Sequence, residues 1–244
     1  MENWFGGIKS DFINNFITDN RWRYIVTGLK NTIIITIFAA LIGIFLGLII
    51  AAIRTTYDKN KENMERNGKI GYAIMTFINN VCKVYLSIFR GTPIVVQLMI
   101  MFYIIFATST NGIMVAIISF GLNSGAYVAE IFRGGIMSID NGQFEAGRSL
   151  GFNYIQTMIF IVLPQVFKNI LPTLLNEFIA LLKETSVAGY VGITDLTRGG
   201  YIIRGITFSA FMPLFGIAII YYIIVMFLTY MVGRVERRLR KSER

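Results

Sequence analysis

The sequence predicts an all-α integral membrane protein with about five transmembrane helices, on three observations. Hydrophobic residues fill 55% of 244 positions and the mean hydropathy is +0.60, more than a soluble domain carries. Several uncharged runs approach or exceed the roughly 20 residues that one crossing needs at 1.5 Å per residue. His is absent and Cys82 is the single cysteine, which excludes histidine catalysis, Cys/His metal sites and intramolecular disulfides. The length suits a handful of crossings with short connectors, so the chain reads as one membrane domain. The net charge of +9 fits basic loops held on the cytoplasmic side of a membrane better than nucleic acid.

Residues 1–32 mix charges and aromatics (Lys9, Asp11, Asp19, Arg21, Trp22, Arg23) and read as an extracytoplasmic, interfacial segment without the pattern of a cleaved signal peptide. The first span is 33–53, bounded by Lys30 and Arg54, with Gly43 and Gly47 at small-xxx-small spacing. Residues 58–69 form a charge run expected to be a solvated loop. Residues 70–89 suit a helix on the membrane surface or a tilted approach to it. Thr92 before Pro93 reads as an N-cap with Pro at the first helical position, starting a second span to about Phe106. A turn at 108–112 precedes the third span, 113–132. In 155–182, Pro164 and Pro172 are expected to break the run into a surface helix and a short fourth span, 171–182. The uncharged run 205–233 is the fifth.

With five spans, fifteen Lys and Arg fall on one side in 54–90, Arg133, Arg148 and 234–244, with Lys168 in the same connector as Arg148, and seven fall on the other. The richer side is expected to be cytoplasmic, leaving the N-terminus outside and the C-terminus inside. The organisation is therefore an N-terminal segment 1–32, a membrane domain 33–233 and a basic tail 234–244.

The cytoplasmic connector S-I-D-N-G-Q-F-E-A-G-R-S-L-G-F, at 138–152, reads as a short capped helix. Asp140 or Asn141 can cap its start, Glu145 sits near the positive end of its dipole, and Gly151 stands where a left-handed residue ends a helix. So short a helix is unstable alone and must pack on something, either its own bundle or another protein.

Within it, Glu145-Ala146-Gly147, then Gly151 four residues on, then Ile161-Val162-Leu163-Pro164, is similar to the EAA loop of ABC importer permeases. Gly147 replaces the second alanine. F-R-G-T-P-I-V-V-Q at 89–97, A-Y-V-A-E-I-F-R-G-G at 126–135, N-E-F-I-A-L-L-K-E-T-S at 176–186 and G-L-K-N-T at 28–32 resemble the polar amino acid branch of that family. The resemblance implies a type I ABC importer permease fold with a cytoplasmic coupling helix in the loop 138–164. It also implies contact with an ABC ATPase through Phe144, Glu145, Ala146, Gly147, Leu150 and Gly151. Its further partners would be a second permease subunit, an extracytoplasmic substrate-binding protein, an amino acid substrate and membrane lipid, with no nucleic acid. No G-x-x-x-x-G-K-[ST] phosphate cradle occurs, so the chain is not expected to hydrolyse ATP by itself; the resemblance implies that ATP and Mg are bound by the partner ATPase and that this chain is a transport subunit, not an enzyme, with no cofactor of its own.

Glu130 lies at the end of the third span, and Glu177 is the one acid placed deeper inside an apolar span; an acid at bilayer depth costs about 2.5–3.5 kcal/mol, so it requires a partner. A cationic group of the substrate, a structural Lys or Arg, and protonation each answer that need. Asn176 beside it can orient the same ligand or bond a neighbouring helix. Glu130 and Arg133, with Arg90, are expected to form an ion-pair cluster. The competing reading, an ion-coupled secondary transporter or channel subunit for small polar solutes, asks for more intramembrane ionisable groups or an inverted repeat.

Overall fold

The computed structural model describes Gly7 and residues 9–241, and among them every regular element is helical. We label the principal helices α1 (Trp22–Asn67), α2 (Lys69–Gly91), α3 (Ile94–Ile100), α4 (Gly112–Met137), α5 (Asn141–Ser149), α6 (Tyr154–Thr157), α7 (Leu163–Glu184), α8 (Leu196–Thr207) and α9 (Phe211–Lys241). Among the described residues five stretches are long and apolar enough to cross a bilayer: Trp22–Lys59, Lys69–Gly91, Gly112–Met137, Tyr154–Val191 and Phe211–Leu239. The expected count holds, but several boundaries move.

The charge run expected as a loop is helical: α1 continues through it to Asn67, and Gly68 separates it from α2. In the run the good helix formers Lys, Glu, Met and Arg outnumber the weaker Asp and Asn, and neither Gly nor Pro occurs before Gly68. Thr92 does not open a span of full length. It ends α2 in an extended conformation, as a residue before proline prefers, and its hydroxyl donates to Ile88 O at 2.8 Å. The helical piece that follows, Ile94–Ile105, is 12 residues or about 18 Å long, short of a bilayer core. Pro164 does not break the fourth span either. A widened turn, Met158–Val162, comes just before it and absorbs the clash its ring would make with the preceding turn, while Pro172 sits inside α7. The fifth span starts later than expected, because Phe208 takes a left-handed conformation (φ 53°) between α8 and α9. The N-terminal boundary at residue 32 falls within α1, and residues 242–244 of the basic tail lie outside the described residues.

The chain forms two compact units. One takes in residues up to Ala39, Ile94–Phe120 and Ile179–Met231, and its core holds Ile25, Leu196, Ile203 and Ile217 with Phe16 packed against them. Here the side chain of Asn31 donates to Thr194 O at 2.8 Å, and the Leu196 N–H donates to Thr32 Oγ1 at 3.1 Å. After α7 the chain thus makes a tight turn (Thr185–Val191) followed by α8, pinned to the start of α1.

The other unit takes in Ala40–Pro93, Gly121–Phe178 and the chain from Val232. Val128, Phe132 and Ile136 of α4 pack with Ala51 of α1, Val166 and Ile170 of α7, and Phe144 of α5. Small residues allow that approach. A Cβ on Gly47 would stand 2.5 Å from a Val128 methyl, and one on Gly43 would stand 2.9 Å from Ser124 Oγ. The small-xxx-small pair therefore packs α1 on α4. Along α2, Ile70, Ile74, Phe77, Val81, Val84 and Ile88 form an exposed apolar stripe, as a lipid-facing helix requires.

Candidate functional site

The connector 138–164 is built from its caps inward. The Asp140 side chain accepts from Gly142 N–H at 2.6 Å and starts α5. At the other end Gly151 is left-handed (φ 83°), and the N–H groups of Gly151 and Phe152 donate to Arg148 O and Gly147 O at 2.9 and 3.0 Å. These bonds satisfy carbonyls that the helix end would otherwise strand. Asn153 and Gln156 then close a reciprocal capping box at the start of α6.

Of the α5 residues, Phe144 and Gly147 are buried. The Phe144 ring stacks on Tyr154, with centroids 6.3 Å apart, and the Lys59 ammonium lies 3.5 Å from its centroid on α1. Gly147 lies against α6, where a Cβ would come 2.5 Å from both branches of Thr157. Gly147 in place of alanine thus reflects a steric limit that no local sequence signal carries. The remaining residues expected at the contact, Glu145, Ala146, Leu150 and Gly151, are exposed, Leu150 at 72%. The structure splits the expected set into an inward anchor and an outward face.

Glu130 gathers the expected ion pairs and one more. Its two oxygens lie 2.8 Å from Arg54, 3.0 Å from Arg133 and 3.8 Å from Arg90. Arg54 was not foreseen in this cluster, since it is 76 residues away on α1. Glu177 is half-buried on α7 and accepts from Ser124 Oγ of α4 at 3.3 Å; Asn176 beside it is exposed. Asp195, also missed, is fully buried and caps α8, accepting from the N–H groups of Thr197 and Arg198 at 3.1 Å. Burial pushes its carboxyl above the usual range, against the downward pull of those backbone bonds. An Asp directly before Leu196-Thr197-Arg198 is an N-cap signal that was available to be read.

Among the described residues no group of His, Cys, Asp and Glu could hold a metal ion, and what the geometry offers is a docked, capped helix with one face exposed. Residues 68–241 match the family of binding-protein-dependent transport system inner membrane components. The chain belongs to this family. The permease is 34% identical over 223 residues to the arginine transport system permease protein ArtQ of Bacillus subtilis (strain 168), across 90% of this chain and 94% of that one. It is 32% identical over 221 residues to the glutamine transport system permease protein GlnP of Escherichia coli (strain K12), across 88% and 93%. Among solved structures it is similar to an amino acid ABC transporter with histidines, at a TM-score of 0.75 and 35% identity over 88% of this chain and 94% of that one. It shares its fold with the inward-facing MetNI methionine ABC transporter, at a TM-score of 0.74 and 19% identity over 91% and 99%. The fold is that of type I ABC importer permeases. The permease is a multi-pass, non-enzymatic subunit of an inner-membrane importer whose ATP hydrolysis belongs to a separate subunit. The self-sufficient secondary transporter or channel is set aside.

Proposed function

We propose that this permease imports polar amino acids, paired with a second permease subunit, receiving substrate from an extracytoplasmic binding protein and driven by an ATPase seated on α5. Relatives named for arginine and glutamine transport support the substrate class. One observation carries the coupling assignment: α5 is fastened inward through Phe144 and Gly147 and presents Glu145, Ala146 and Leu150 outward, so a push on the exposed face reaches α4 and α7 through packed side chains. Glu145, Ala146, Leu150 and Gly151 are read as the contact face, and Phe144 and Gly147 as its seat. Glu177 and Asn176 are read as facing the substrate route.

The same reading places the N-terminus outside and the tail from residue 234 in the cytoplasm. In support, Arg54, Arg90 and Arg133 meet on one carboxylate, so these basic residues share one level rather than lying on opposite sides.

The test is Gly151→Pro in the complete transporter. Proline fixes φ near −65° and cannot reproduce the +83° that ends α5. The variant is expected to insert and assemble as the parent does while losing substrate-stimulated ATPase activity. Parental stimulation in that variant overturns the assignment.

A further inference from the structure

We propose that Lys59 is a positioning residue that holds the coupling helix in its working orientation, which assigns a role to the junction of α1 with its charged helical extension. The inference rests on α5 being the contact with the ATPase. Phe144 is the one side chain that α5 buries, Gly147 having none; beside the bond that Gln143 accepts from Gln165 of α7 at 3.2 Å, the pose of this short helix depends on how that ring is held. The ring stacks on Tyr154, and the Lys59 ammonium stands 3.5 Å from its centroid. At that separation a cation is attracted to the electron-rich face of the ring.

The carrier of the ammonium matters as much as the contact. Lys59 lies five residues beyond Arg54 on α1, about 7.5 Å along the axis, and Arg54 binds Glu130 of α4 at 2.8 Å. One uninterrupted helix therefore grips α4 through a charge pair and α5 through a cation–π contact. Between α4 and α5 lie only residues 138–140, a joint that α1 bridges. An aliphatic side chain at 59 would lack this directed attraction. Lys59, Asn141, Glu145, Arg148, Tyr154 and Thr157 also line a recess of about 590 Å³ beside the ring, so packing alone does not hold α5 on that side.

The experiment uses the complete transporter in proteoliposomes and reads substrate molecules imported per ATP hydrolysed. Lys59→Met and Lys59→Gln, which remove the charge and keep most of the reach, are expected to lower that ratio about two- to fivefold, the size of one partly exposed cation–π contact. Lys59→Arg is expected to restore it, since guanidinium serves the same ring face. In a Phe144→Leu background, Lys59→Met is expected to cause no further loss, because both changes delete one interaction. A parental ratio in both uncharged variants overturns the inference, as does an equal additional loss in the Phe144→Leu background or a Lys59→Arg variant no better than Lys59→Met. Loss of stimulation in Gly151→Pro together with parental ratios at position 59 rejects this inference alone. Parental behaviour of Gly151→Pro rejects the reading beneath it.

Discussion

Glu177 accepts a hydrogen bond from Ser124 on α4, and that contact separates two roles for the acid. Gln at 177 still presents an oxygen to the Ser124 hydroxyl but carries no charge. If the carboxylate receives the cationic group of a passing amino acid, Glu177→Gln removes one charge-assisted hydrogen bond, about 1.5–3 kcal/mol, or roughly ten- to a hundredfold in apparent affinity. We expect the transport KM to rise by that order, more for a basic amino acid than for a neutral one, with the melting temperature of the complex unchanged. A fall in melting temperature with equal losses for all substrates would mark a structural acid, and a stable variant with both KM values unchanged would remove Glu177 from the route. The acid was legible in the sequence because it interrupts an apolar run. Its partner was not, because Ser124 lies 53 residues away on another helix and no periodicity joins them. Arg54 and Glu130, Lys59 and Phe144, and Gly147 and Thr157 were hidden for the same reason.

At the scale of elements, what sequence conveyed well was local chemistry. The Asp140 cap, the Gly151 end and the Asn111 turn each depend on neighbours within a few residues, and each stands where the sequence put it: Asn111 Oδ1 accepts from Met114 N–H at 3.1 Å at the start of α4. Proline misled because its effect is set by the turn before it, and a widened turn at Met158–Val162 leaves the fourth span continuous through Pro164. The charge run after Arg54 misled because charge suggested solvent while helix propensity governed the backbone. The seat of α5 on α6 gives an element-level test. Gly147→Ala gains about 1 kcal/mol of helix propensity, but its new methyl would overlap Thr157, and overpacking costs about 1–3 kcal/mol. We expect Gly147→Ala to lower the melting temperature of the complex and Thr157→Ala to restore it in the double variant, a coupling of opposite sign to the single change. A Gly147→Ala protein as stable as the parent would show that the two helices can part at no cost.

For the whole molecule, orientation follows from where charge can be tolerated. Arg54, Arg90 and Arg133 converge on Glu130, and only residues 138–140 separate the end of α4 from α5, which carries Arg148. These basic positions therefore act as one group in the positive-inside balance, and the group also contains the contact face proposed for the ATPase. Five apolar stretches separate the two ends of the chain. An odd number of crossings requires the ends to face opposite compartments, whereas an even number would put the basic tail and Ser10 on one side. Buried Cys82 can be replaced by Ser to clear the background. In that background, single cysteines at Ser10 and Ser242 are expected to react with an impermeant thiol reagent from opposite faces of oriented membrane vesicles, Ser10→Cys from the outer face and Ser242→Cys from the cytoplasmic one. Reaction of both from one face would overturn the odd count, and opposite faces in reversed order would overturn the charge argument while leaving the count intact.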